Sequence, residues 1–202
     1  MDGTQALVVA DAARVLVAFR GTHNPKTFIR DLDALPVSWG QGGQVHGGFV
    51  RHLRPVRHAL TRIVGAAGGR ELFFTGHSLG AAAATLSESL WPRAALYTFG
   101  SPRVGDAAFA ATLPADRIQR FVHCCDLVCR VPPEKLGYVH VGALRYINHD
   151  GLLSAQPAAD DIEAHQRAGR RAYRLRYAWA FWRNVLVRDL ADHAPVNYVA
   201  AV

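Results

Sequence analysis

Ser78 sits in Gly76-His77-Ser78-Leu79-Gly80, after the apolar run Leu72-Phe73-Phe74 and before an Ala-rich stretch of strong helix propensity. Strand, sharp turn and helix form the context in which a G-x-S-x-G motif presents a serine oxygen as a nucleophile. A serine held in a strained turn at a strand end needs neighbours, two residues to either side, that carry no clashing side chain. The helix that follows points its N-terminus at the serine oxygen, where the amide of Leu79 can stabilise negative charge. The same five residues also fit a Gly-rich strand-to-helix turn without chemistry. The flanking strand and helix favour the nucleophile.

A serine hydroxyl is a weak nucleophile near neutral pH and needs a histidine to take its proton. That histidine needs a carboxylate to fix its tautomer and stabilise the imidazolium. With an elbow of this type, the acid and then the base follow the serine along the chain. Asp106 and Asp126 are the candidate acids. Asp106 opens an Ala-rich stretch, where a capping acid is the ordinary explanation. Asp126 follows the β-rich run Ile118 to Cys125 and precedes a Pro-containing loop, which favours it. Among ten histidines, His149, His165 and His193 remain once those before Ser78 or inside predicted strands are set aside. His193 lies just past a long helix, on a loop that can reach back over the sheet; His149, on a turn beyond a strand, is the second candidate. His77, beside the nucleophile, is expected to point away from it.

The elements that must position these groups follow from the apolar pattern. Ala6 to Ala10 and Val15 to Phe19 read as a strand pair leading into Arg20-Gly21-Thr22, which puts a backbone amide and a hydroxyl at a sheet edge. Phe28, Leu32 and Leu35 recur at helical spacing between Pro25 and Pro36. With Trp39 beside it, this patch reads either as a flap over the site or as a short helix docked on the core. A helical pattern then runs from Val45 to about Ala67, ended by Gly68-Gly69. Further strands are expected at Ala95 to Phe99 and Ile118 to Cys125, with a last strand region over Tyr138 to Ile147. Alternation from Leu72 to Cys125 predicts an α/β fold, with a mostly parallel sheet covered by helices on both faces. Its catalytic groups belong at the carboxyl ends of the strands. Residues from about Asp160 to Asp189 read as one long helix. Leu175, Trp179, Trp182, Leu186 and Leu190 form an apolar stripe on it, flanked by arginines. Such a stripe packs on a core or lies on a membrane surface.

Composition bounds the rest. At 202 residues, half of them apolar and 19% charged, the chain can bury one sizeable core and reads as a single domain, 1–202. A net charge of +7 favours anionic surfaces, although no nucleic-acid motif is present and no nucleic-acid partner is expected. Cys124, Cys125 and Cys129 lie within one short stretch, without a C-x-x-C pair, and read as buried small hydrophobes. The N-terminal stretch lacks a basic n-region and no segment is long enough to span a membrane, so a cytoplasmic or leaderless protein is expected.

Read together, the motifs resemble the class 3 (fungal-type) lipases of the α/β-hydrolase fold. The resemblance rests on Val17-Ala18-Phe19-Arg20-Gly21-Thr22, Val45-His46-Gly47-Gly48-Phe49, Gly76 to Ala81, Tyr97 to Gly105, Asp126 to Pro133, and Asp192-His193 with Tyr198. The blocks occur in family order over almost the whole chain. The resemblance implies Ser78 as nucleophile, Asp126 as orienting acid, His193 as base, and Thr22 and Leu79 as oxyanion donors. It implies a lid after Thr22, with Phe28 and Leu32 on its short helix, and no metal or organic cofactor. Family members usually carry an N-terminal extension. Here the chain is abbreviated to the strand pair, so that sheet edge is expected to be exposed or paired with a partner.

The resulting expectation is a serine hydrolase that cleaves carboxylic esters of lipids through an acyl-enzyme, with a lipid–water interface as its setting. An esterase on soluble short-chain or aromatic esters, and a phospholipase, are the alternatives within the enzyme class. A non-catalytic interaction module on the same fold is the rival from outside it.

Overall fold

A computed structural model describes residues 4–21, 35–177 and 188–201. Its main sheet has seven strands: β1 (Ala6–Ala10), β2 (Arg14–Phe19), β5 (Glu71–His77), β6 (Ala95–Phe99), β8 (Ile118–His123), β10 (Ala143–Ile147) and β11 (Leu153–Ala155). They lie side by side in chain order. The five from β2 to β10 are parallel, and β1 and β11 flank them as antiparallel edges. A smaller antiparallel sheet joins β3 (Pro36–Ser38), β4 (Gln44–His46), β7 (Gly105–Asp106) and β9 (Tyr138–Val139).

Strands that advance across a sheet in one direction, joined by right-handed crossovers, deliver their helices to one face. That face carries alternate residues Val17, Phe74, Leu96 and Ile118, each fully buried. They share one core with α1 (Gly47–Leu53) and α2 (Arg57–Ala67), through Phe49, Leu60 and Val64, and with α3 (Leu79–Leu90). Ala81 to Ala84 on α3 are all completely buried; small side chains let the helix settle close on the sheet. The second face is covered near its carboxyl end by α7 (Pro195–Val199), whose Tyr198 ring meets Phe99 edge-on. Its middle is more open, and Tyr97 there is 38% exposed. β1 is exposed along its length.

Four local readings change. The pattern from Val45 to Ala67 is a strand and two helices, because Pro55 lacks the amide that would carry one helix through Arg54–Val56. The run Tyr138 to Ile147 divides between the two sheets at a positive-φ turn, Gly142. The strand predicted to reach Cys125 ends at His123, where a turn closed by the Asp126 amide on the His123 carbonyl begins. The long helix is described as α5 (Ala159–Tyr177) and a separate short α6 (Arg188–Ala191). Trp179, Trp182 and Leu186 of the stripe lie outside the described residues, and Leu175 is 71% exposed. The remaining short helix, α4 (Ala107–Ala110), is capped by Asp106, which accepts from the Phe109 amide at 2.8 Å.

Candidate active site

β5 ends at His77 and α3 starts at Leu79, leaving Ser78 alone in the turn at φ 59°, ψ −126°. Non-glycine residues hold such a conformation only where the surroundings enforce it. A Cβ on Gly76 would stand 2.4 Å from the Gly80 carbonyl, and one on Gly80 would stand 2.3 Å from the Phe19 carbonyl oxygen. Both glycines are required by close backbone approach. The Ser78 amide donates to the Phe99 carbonyl at 3.0 Å, fixing the elbow to the neighbouring strand. Leu79 is the first residue of α3, so its amide belongs to the unsatisfied N-terminal turn beside Ser78.

Asp126 and His193 meet at the same end of the sheet. His193 Nδ1 lies 2.9 and 3.0 Å from the two Asp126 oxygens, and both side chains are buried. Asp126 also accepts from the Val128 amide at 2.8 Å and from the Tyr198 hydroxyl at 2.5 Å. These donors fix the orientation of the carboxylate. With Nδ1 committed to the carboxylate, Nε2 of His193 is the atom left for proton transfer. It is buried without a hydrogen-bond partner among the described residues, and so is Ser78 Oγ. A Cβ on Gly100, at φ 57°, would lie 2.8 Å from Asp126 Oδ2 and 3.1 Å from His193 Nδ1, so only glycine lets the strand end pass beneath the pair.

The His193 segment is anchored from several sides. Asp192 Oδ2 accepts from the Cys125 amide and from Arg188 Nε, each at 3.0 Å. Burial opposes the Asp192 charge, but His123, the Cys125 amide and Arg188 together hold its carboxyl below the usual range. Arg188 also donates to the carbonyl oxygens of His149 and Gly169, and the Leu127 amide donates to the Asp189 carbonyl. Arg170 on α5 pairs with Asp189 at 2.6 Å. The acid-bearing turn, α5 and α6 are thus one hydrogen-bonded unit.

Of the residues singled out in the sequence, Asp126 and His193 pair directly. Ser78 and Leu79 lie at the same sheet end, joined to them through the His77 ring and Phe99, with no hydrogen bond between Ser78 Oγ and His193 Nε2. His149 stands apart: its Nδ1 lies 3.0 Å from that of His165, and the two rings pair with each other. Trp39, expected beside a flap, donates to Ser89 Oγ at 2.9 Å near the opposite end of α3 from Ser78, and packs on the core. Its role as a lid neighbour is therefore corrected. Thr22, Phe28 and Leu32 lie outside the described residues, though Gly21 abuts the elbow: a Cβ there would be 2.6 Å from the His77 carbonyl oxygen. His77, expected to point away from Ser78, packs against the candidate base, its ring 4.5 Å from that of His193. Tyr198 contributes a hydroxyl to Asp126. His77 is adjacent to Ser78 in the sequence, but neither its orientation nor the Tyr198 contact leaves a mark in spacing or periodicity.

A family model for class 3 lipases matches residues 16–136. A lipase of Rhizomucor miehei is 32% identical over 166 residues, 74% of this chain and 46% of the relative. The secreted mono- and diacylglycerol lipase A of Penicillium cyclopium is 36% identical over 139 residues, 63% of this chain and again 46% of the relative. The chain therefore spans about half the length of these relatives. Among solved structures, a mutant form of MDLA from Penicillium cyclopium superimposes with a TM-score of 0.66 at 30% identity, covering 80% of this chain and 73% of that one. A triacylglycerol lipase described as having a serine protease triad at its catalytic centre gives 0.62 at 30% identity, covering 71% and 62%. The expectation of a cytoplasmic or leaderless protein is overturned here, because relatives from Penicillium and Fusarium are named as secreted and point to an extracellular setting. With the blocks around Ser78 and Asp126 inside the matched span, and a parallel sheet that superimposes on fungal lipases, the chain belongs to the class 3 lipase family.

Proposed function

We propose that residues 1–202 act as one α/β-hydrolase domain that cleaves carboxylic esters of lipids through an acyl-enzyme. The observation that carries this reading is the buried pairing of Asp126 with His193 beside a strained Ser78, with Nε2 of His193 and Oγ of Ser78 both left without partners. Nε2 takes the Ser78 proton as the oxygen attacks the ester carbonyl, and Asp126 stabilises the imidazolium that forms. The tetrahedral oxyanion is held by the amide of Leu79 and a donor from Thr22, each contributing about 3 kcal/mol to lowering the barrier. The imidazolium then protonates the departing alcohol, and water repeats the sequence on the acyl group.

The names of the relatives support glycerides as substrates and an extracellular setting, and on this reading the enzyme works at a lipid–water interface. A fluorophosphonate probe tests the chemistry and a chain-length series tests the substrate. Wild-type protein should label at Ser78, and Ser78→Ala should lose labelling together with nearly all turnover of a nitrophenyl ester. Labelled protein whose rate does not rise above the substrate's solubility limit would make it an esterase on soluble esters. Absence of labelling in folded wild type would leave only the interaction module.

A further inference from the structure

His123-Cys124-Cys125 immediately precedes Asp126, and Asp192 immediately precedes His193. The fold brings these two stretches together below the proposed active site. Donor atoms of Cys124, Cys125 and Asp192 all lie within 4.8 Å of one another, and all three residues are buried. Both cysteines are free thiols, with the sulfurs 3.4 Å apart. Cys124 Sγ and Cys125 Sγ also face the carbonyl oxygens of His165 and Gln166, at 3.6 and 3.5 Å, which are weak contacts for a thiol, and Cys124 interacts with the Tyr146 side chain.

We propose that Cys124, Cys125 and Asp192 form a site for a thiophilic divalent cation of the zinc class, clasping the turn that carries Asp126 to the segment that carries His193. Two thiolates and a carboxylate are a donor set that suits zinc and excludes calcium or magnesium, which take oxygen ligands. The carboxylate is prepared for it. The Cys125 amide and Arg188 both bond Asp192 Oδ2, and His123 Nδ1 stands 3.4 Å from the same oxygen, so Oδ1 keeps its lone pairs among the described residues. His123 is 7% exposed and its Nδ1 faces that same Oδ2, so a second buried polar group holds the carboxylate on the side away from Oδ1.

Charge and geometry agree with the assignment. Two thiolates and one carboxylate balance a divalent ion and the adjacent Arg188 guanidinium, so an occupied site carries no net charge in a buried place. Tetrahedral ligation with zinc–sulfur bonds of about 2.3 Å asks for sulfurs about 3.8 Å apart, a small opening from the 3.4 Å observed. Both thiols lose their protons on binding, so the ion replaces two S–H groups with two metal bonds. The clasp links the residue before the proposed acid to the residue before the proposed base. It takes no part in ester cleavage.

The test uses the full chain, stripped with chelator and held in a reductant that is not a thiol, titrated with Zn2+ or Co2+ alone. One ion per chain should bind, the Co2+ form should show thiolate-to-metal charge-transfer absorption, and Zn2+ should raise the melting temperature. Cys124→Ser and Cys125→Ser should each weaken zinc by more than about tenfold. The double variant, C124S with C125S, should lose the thermal shift yet hydrolyse ester at the wild-type rate in metal-free buffer. Zinc affinity equal in wild type and the double variant would overturn the site, as would a Co2+ complex without thiolate absorption. If the double variant does not fold, the single variants and the wild-type Co2+ spectrum decide. Zinc affinity, the Co2+ spectrum and the thermal shift do not depend on ester hydrolysis, so failure of the site and failure of the proposed chemistry are separate outcomes.

Discussion

His77 Nε2 lies 2.8 Å from the backbone carbonyl oxygen of His193, and the two imidazole rings are 4.5 Å apart. Burial, then the neighbouring His193, hold the His77 pKa down to about 4. Near neutral pH the ring is therefore uncharged, and its Nε2–H donates to the carbonyl. The residue beside the nucleophile thus positions the backbone of the proposed base.

His77→Phe keeps the ring and removes the donor, leaving the His193 carbonyl unpaired. It is expected to lower kcat on a soluble ester by roughly tenfold with little change in KM, and to cost about 1 to 2 kcal/mol of stability. Steady-state kinetics and a denaturant titration check both. A kcat unchanged from wild type would show that this contact does not place the base.

Gly100 should be equally sensitive for a steric reason. Its φ of 57° and the predicted approach of a Cβ to Asp126 Oδ2 and His193 Nδ1 leave no room for even a methyl group. Gly100→Ala is expected to displace the pair and cut kcat/KM by at least about a hundredfold, while fluorophosphonate labelling of Ser78 falls in parallel. Retained labelling at the wild-type rate would contradict the packing.

Ser78, Asp126 and His193 could be named as candidates from the sequence because the elbow has a local signature and the family resemblance places an acid and a base after it. What joins them could not be named from it. The Tyr198 hydroxyl reaches Asp126 across 72 residues, and Asp192 reaches the Cys125 amide across 67. Periodicity reports which face of an element is buried, and such contacts depend on how distant elements dock. The same limit explains Trp39: its indole marks the segment as apolar, but nothing local says whether it packs at the serine end of α3 or at Ser89. The small sheet was missed because its strands are two or three residues long, too short to alternate visibly.

Tyr198→Phe tests one of those long-range contacts. The hydroxyl donates to Asp126 Oδ2 and accepts from the His123 amide at 3.0 Å, so its loss leaves a buried amide and weakens a buried carboxylate's hydrogen bonding. A destabilisation of about 2 kcal/mol is expected, with kcat reduced several-fold as Asp126 loses one of the groups that orient it. Denaturant unfolding should register the first effect and steady-state kinetics the second. A variant as stable as wild type would mean that neither bond matters in solution.

Glu88 gives the fold a pH dependence of its own. It lies fully buried on α3, neither carboxylate oxygen has a hydrogen-bond partner among the described residues, and burial raises its pKa from 4.5 to about 7, against a weaker pull from Arg117. The folded protein therefore holds this proton more tightly than the unfolded chain does. Its contribution is full below pH 4.5, declines as pH rises, and is gone above about 7, a loss of about 3 kcal/mol. His77 and His140, lowered by burial to about 4 and about 3, act in the opposite sense, their stabilisation being lost as pH falls below 6.5. Glu88→Gln leaves those histidines in place, so they cancel when variant and wild type are compared at one pH. The variant should match wild type near pH 4 and exceed it by about 3 kcal/mol at pH 8, because an ionised carboxylate no longer has to stay buried. Denaturant midpoints at the two pH values measure this directly. A stability difference that is the same at both would show that Glu88 does not titrate between them.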